Sequence, residues 1–148
     1  MRISSKGRYG LAAMTSMAQD FTKDNNVTII SIAEKLGISK IYLEQVFSLL
    51  KRAKIVISIK GAQGGYKLAA SPDKITAGQV LRAIESGIFE PIENSVEAFA
   101  PAIETAMENL VWNPLDKAVV EALDGVTLEN LVNETERQQD GKNLMFYI

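Results

Sequence analysis

Apolar residues fall at helical spacing in several stretches of this chain and at strand spacing in one. Tyr9, Ala13, Met17 and Phe21 share one face of a helix predicted from about Ser5 to Phe21. Lys23-Asp24-Asn25-Asn26 follows as a polar loop. Ser31-Ile32-Ala33-Glu34 has capping-box spacing, in which Ser accepts from an orphan helix N–H and Glu reaches back. Ile32, Ala33 and Leu36 then face inward, and Gly37 stops the helix where a positive φ costs little. Ser39 is placed to cap the next helix, whose buried stripe is Leu43, Val46, Phe47 and Leu50. The β-branched run Ile55-Val56-Ile57-Ser58-Ile59 reads as a strand. Lys60-Gly61-Ala62-Gln63-Gly64-Gly65 is a flexible tip, and Tyr66-Lys67-Leu68 returns.

Beyond a turn at Ser71-Pro72-Asp73, Thr76 and Gln79 form a second capping box for a helix bearing Val80, Leu81 and Ile84, with Gly87 as its end. Residues 88–100 are a Glu-rich loop. A long amphipathic helix then carries Ile103, Met107 and Leu110 into Leu115, Ala118, Val119, Ala122 and Leu123. That stripe exceeds what one small domain can cover, so packing against a partner helix is expected. Pro114 removes a backbone donor in mid-helix, which predicts a kink or a fresh start capped by Asn113 and hence a bent arm. Thr127 caps a final short helix with Leu128, Leu131 and Val132. A polar run, Glu134 to Asn143, then tethers an apolar end.

Helix, Gly turn, second helix and β-hairpin in direct succession form a helix-turn-helix with a wing, the layout of a DNA reader. The fold expected is mainly α with a small β-wing: a winged helix-turn-helix domain over residues 1–85, a loop over 86–100, dimerisation helices over 101–135 and a tail over 136–148. With the stripe of the second helix turned inward, Lys40, Ile41, Tyr42, Glu44, Gln45, Ser48, Lys51 and Arg52 remain for the outer and flanking faces. Ser39, Lys40, Tyr42, Glu44 and Gln45 lie near the N-terminal end, which commonly enters the major groove. There Gln45 can pair with adenine and Glu44 can accept from cytosine N4.

Charge sharpens this picture. Residues 1–85 hold 13 Lys and Arg against 6 Asp and Glu, a net +7, whereas residues 86–148 hold 3 against 12, a net −9. The overall charge of −2 conceals a basic half suited to a polyanion. Arg2, Lys6, Arg8, Lys51 and Arg52 are candidates for phosphates, and Lys60 for a flanking minor groove. With 47% hydrophobic residues the chain can bury a core, and it shows neither a signal-peptide pattern nor a membrane-length apolar run. A cytoplasmic protein is expected. Without Cys or His there is no thiolate or imidazole for a metal, and no paired carboxylates or phosphate-cradling loop suggest catalysis. No metal, no cofactor and no enzymatic activity are expected.

The opening Met1-Arg2-Ile3-Ser4-Ser5-Lys6-Gly7-Arg8-Tyr9-Gly10 resembles the start of the Rrf-two family of bacterial winged-helix regulators. So do Tyr42-Leu43-Glu44-Gln45 and Gly61-Ala62-Gln63-Gly64-Gly65-Tyr66. The likeness spans nearly the whole chain and is densest over residues 1–85. It implies a homodimer on a palindromic double-stranded operator, contacted through Arg2, Ser4, Lys6, Arg8, Ser39, Lys40, Tyr42, Glu44, Gln45, Ser48, Lys51, Arg52, Lys60, Gly61 and Gln63. Cluster-binding members carry three cysteines between the domain and the dimer helix; Gly87 to Ala100 here has none. The ending Met145-Phe146-Tyr147-Ile148 is most similar to the family's cysteine-metabolism repressors. That likeness implies a corepressor, O-acetylserine thiol-lyase, engaged through Phe146, Tyr147 and Ile148. Two alternatives stay open: a regulator answering another small molecule held between the domain and its long helix, and an interaction adaptor that has lost operator binding.

Overall fold

The computed structural model describes residues 2–22 and 26–146, for residues 145 and 146 the backbone alone. Helix α1 (Ser5–Gln19) starts at Ser4, whose hydroxyl accepts from the Gly7 N–H, and it ends two residues before Phe21. Helix α2 (Ile29–Leu36) begins earlier than the Ser31 box predicts. Thr28 is its cap, accepting from the Ser31 N–H, while the Ser31 hydroxyl donates to the Thr28 carbonyl. Thr28 lies upstream of Ile29 and Ile30, so capping there adds a turn that Ser31 would have left outside the helix. Gly37 closes α2 at φ 66°, as its position predicts.

Helix α3 (Lys40–Arg52) is capped by Ser39, and Leu43, Val46, Phe47 and Leu50 are fully buried. Its end is a left-handed turn at Lys54, φ 61°, where the Lys54 and Ile55 N–H groups donate to the carbonyls of Lys51 and Leu50. This conformation costs an L-residue about 1–2 kcal/mol, and Gly or Asn is the usual occupant. The wing pairs β1 (Val56–Ile59) with β2 (Gly65–Leu68) antiparallel, Val56 opposite Leu68. Both those residues are buried, and Tyr66 lays its ring 4.9 Å from that of Phe47. Val27 adds a rung, exchanging two 2.8 Å backbone hydrogen bonds with Tyr66. A side chain at Gly65 would strike the Val27 carbonyl, so this close approach requires glycine.

A 3₁₀ turn (Pro72–Lys74) leads to α4 (Ala77–Ile84), with both bonds of the Thr76–Gln79 capping box in place. The helix stops at Ile84, before Gly87, because Glu85 turns extended and bonds back to Ser4. The acidic half begins as an exposed loop anchored at one carboxylate. Glu104, 2% exposed, accepts from the Val96 N–H at 2.6 Å and from the Ser95 N–H and hydroxyl. Those donors, the Val96 amide first, hold its pKa below the ordinary glutamate value against the opposing effect of burial.

The arm runs through α5 (Pro101–Met107), a π turn (Glu108–Trp112) and α6 (Asn113–Asp124). The expected fresh start at Asn113 does not occur: Trp112 and Asn113 keep helical dihedrals, and Asn113 makes no side-chain cap. Its N–H reaches back five residues to the Glu108 carbonyl, so the ladder widens by one residue where the Pro114 ring must be accommodated. The other end of α6 is clamped to α4 by Arg82, which donates to both Asp124 oxygens at 2.6 and 3.0 Å and lies over the Phe89 ring.

The last helix is also longer than predicted. Thr127 and Asn130 cap each other's backbone, and α7 (Leu128–Phe146) takes in the whole polar run expected to be a tether. Good helix formers and local pairs carry it there; Arg137, with help from Gln138, lowers the Glu134 pKa to about 2. Leu128 returns the chain to the core, its N–H bonded to the Ile75 carbonyl, and α7 packs on α1.

Candidate nucleic-acid interface

Two elements would meet DNA, and the structure fixes each to the same core. The inward stripe of α3 leaves Lys40, Glu44, Gln45, Ser48, Lys51 and Arg52 exposed. Lys40 and Glu44 face each other at 3.7 Å on successive turns, so Glu44 reaches a base only by leaving that pair. Gln45 and Ser48 lie exposed beyond it. Ile41, placed on the outer face by the sequence pattern, is 69% exposed in the first turn. An exposed aliphatic side chain beside base-reading groups suits a thymine methyl.

The start of α1 sits beside the start of α3. Tyr9 and Tyr42 meet edge to face with centroids 5.3 Å apart, over a depression of about 350 Å³ that Ser5 and Ser39 also line. Helical spacing places Tyr9 only on a helix face; its contact with Tyr42 joins positions separated by 33 residues, which periodicity does not reveal. Arg2 and Arg8 are exposed and Lys6 is half-buried, with Arg8 donating to the Ser5 hydroxyl. Ser4 departs from the expected role. Its N–H and its hydroxyl both donate to Glu85 Oε1, at 2.8 and 2.7 Å, which leaves it no donor for a phosphate. Glu85 is thus a positioning residue for the N-terminal arm, with no local sequence signal to mark it.

The wing tip is braced as well as flexible in composition. The Gly64 N–H donates to the Gly61 carbonyl, Gly61 takes φ 110°, and Asn26 donates from its side chain to the Gln63 carbonyl. Lys60 and Gln63 keep their side chains exposed. Phe146 ends α7 by its backbone, while Tyr147 and Ile148 lie outside the described residues.

Comparison with known proteins agrees with this geometry. Residues 3–134 match the Rrf2 family, described as iron-dependent transcriptional regulators. The regulator CymR of Bacillus subtilis (strain 168) is 41% identical over 148 residues, all of both chains. IscR of Aliivibrio salmonicida (strain LFI1238) is 33% identical over 97% of this chain and 86% of its own. Among solved structures, B. subtilis CymR, titled the global cysteine regulator, superposes with TM-score 0.75 at 40% identity, covering 90% of this chain and 98% of that one. T. potens IscR superposes with TM-score 0.72 at 36% identity, covering 94% and 91%.

The iron dependence in the family description does not fit this chain's donors. There is no Cys or His, and Glu104, the one buried carboxylate near the loop, is committed to backbone N–H groups. Among the described residues no three potential ligands gather as a metal site. No described helix is long and apolar enough to cross a membrane. The relatives are transcriptional regulators and not enzymes, and a helix-turn-helix followed by a wing is a common layout of DNA readers. The chain belongs to the Rrf2 family of winged-helix, DNA-binding transcriptional regulators.

Proposed function

We propose that this protein is a homodimeric repressor of cysteine and sulfur metabolism that reads a palindromic operator and works with O-acetylserine thiol-lyase as corepressor. The observation carrying the DNA-reading part is the exposed face of α3, Lys40 to Arg52, braced at its start by Tyr9 and flanked by a tied wing. In this reading the first turns of α3 enter the major groove, where Gln45 meets adenine and Ile41 a thymine methyl. Lys60, Gly61 and Gln63 lie along the neighbouring minor groove, and Arg2, Lys6, Arg8, Lys51 and Arg52 hold phosphates. Self-association runs through the arm, where Ile103, Leu110, Val111 and Leu115 are exposed along one segment. Two readers then span half-sites ~34 Å apart or a multiple of that distance.

The sulfur reading rests on full-length similarity to the cysteine regulator and on the ending Phe146-Tyr147-Ile148. An apolar, aromatic segment of this kind is a form suited to capture in a partner's groove. Operator binding with base substitutions tests the first part. Gln45→Ala is expected to lose ~1–3 kcal/mol at one base pair only, and Arg52→Ala to weaken all sequences alike. Uniform losses from both variants would refute the assignment. Calorimetric titration into the thiol-lyase, with and without Ile148, tests the second. Binding that survives the deletion would remove the corepressor role of the tail.

A second reading is favoured by one groove. Arg2, Ile88, Ile92, Leu115, Asp116 and Val119 line a hollow of about 430 Å³ between the domain and α6, where a different effector could act on the arm directly. Salt-sensitive operator binding that changes with a small molecule, in the absence of the thiol-lyase, would select it.

A further inference from the structure

We propose that a second hollow, at the base of the wing, binds a small organic anion with a short aliphatic body. It has a volume of about 370 Å³, space for about twelve water-sized groups at roughly 30 Å³ each. Ala53, Ala69, Ala70 and Ala83 line it with small apolar side chains, together with the exposed Lys54 and Lys74. No Asp or Glu lines it, and neither lysine forms an ion pair among the described residues. Arg82 also borders it, but that guanidinium is already matched by Asp124. Two unmatched cations beside an apolar lining select a carboxylate or phosphate on an aliphatic chain, and reject both the neutral analogue and a cation.

Lys54 adds an independent reason. It occupies the left-handed turn closing α3, a position where Gly or Asn would relieve strain, so the fold gains nothing from a lysine there. Its long cationic side chain lines the hollow. Three parts of the reader converge at this point: the end of α3, the base of both wing strands, and α4, which Arg82 clamps to α6. A ligand wedged among them can change the angle between recognition helix, wing and arm. This coupling rests on the DNA-reading interface; binding itself does not.

The test uses the full chain and 4-methylpentanoate as probe, with 4-methylpentanol and inorganic phosphate as controls. Amide NMR shifts at Ala69, Ala70 and Ala83 are followed during titration. The expected result is saturable shifts with a dissociation constant of about 1 mM, weak competition by phosphate and no effect of the alcohol. The double variant Lys54→Asn, Lys74→Gln keeps the turn, because Asn tolerates a positive φ, and is expected to lose the shifts. Absence of shifts in the wild type, or shifts that persist in the double variant, overturns the proposal. A third outcome would also overturn it. If the double variant instead weakens binding to a mixed-sequence duplex and lowers the salt slope by about 2, at roughly 0.9 per phosphate contact, the lysines serve DNA and not a metabolite.

Discussion

The reader and the arm are opposite solutions to the same problem of covering apolar surface. Every buried apolar residue of the core lies at or before Leu81 except Leu128, which α7 brings back to it. The arm, by contrast, leaves Leu110 79% exposed and the loop before it leaves Phe99 96% exposed. The reader carries net positive charge and the arm net negative. One half is finished as a folding unit and held open to a polyanion. The other leaves its apolar stripe in solvent. A regulator built this way can keep its DNA-contacting geometry constant while assembly is decided elsewhere.

That contrast can be broken by substitution on each side. Phe47→Ala empties the reader's core beneath Tyr66 and is expected to cost about 3–5 kcal/mol of stability in urea unfolding, at any protein concentration. Leu110→Glu is expected to leave the protomer's stability within about 0.5 kcal/mol. It should instead weaken self-association by at least about tenfold in sedimentation equilibrium, since burying one Leu is worth more than 1.4 kcal/mol. Equal concentration dependence of the two variants would erase the distinction. Thr76→Ala removes the cap that starts α4 and is expected to cost ~0.5–2 kcal/mol without changing oligomeric state.

The smallest effect is a pH dependence confined to the arm. Glu104 is held ionised, with its pKa below the ordinary value, so its contribution is present above the unfolded glutamate pKa and is lost as pH falls through the folded one. Protection of the Ser95 and Val96 amides, measured as exchange relative to the intrinsic rate at each pH, should therefore fall on acidification below the usual glutamate range. Glu104→Gln should show weak protection at neutral pH and little further change in it. Protection of the wild-type amides that falls instead on the alkaline side would contradict this sign.

Features that depend on neighbours three or four residues away were legible in the sequence. Ser39 and Thr76 cap where they were placed, and the α3 stripe is buried in full. Thr28 displaced Ser31 because two local caps were available and packing of Ile29 chose between them. The polar run after Val132 has little amphipathic pattern, so helix propensity and pairs such as Glu134–Arg137 set its structure without marking a buried face. Ser4–Glu85, Tyr9–Tyr42 and Asn26–Gln63 join distant positions, and no local rule reveals them. Within the candidate interface, the residue types on α3 were therefore readable, whereas the bonds that hold the N-terminal segment and the wing in place were not.

The wide turn ahead of Pro114 changes the phase of the arm. On a regular helix Leu110 and Leu115 lie five residues, about 500°, apart, which puts them roughly 140° out of line. A turn that absorbs one extra residue brings them to nearly the angle of an i, i+4 pair, on one seam. A facing helix would then meet an uninterrupted track from Ile103 to Leu115. Pro114 acts here as a phase adjuster. Deleting Val111 or Trp112 from that turn would leave Leu110 and Leu115 four apart on a regular helix and still on the seam. A proline replacement that closed the turn with all five residues kept would put them out of line.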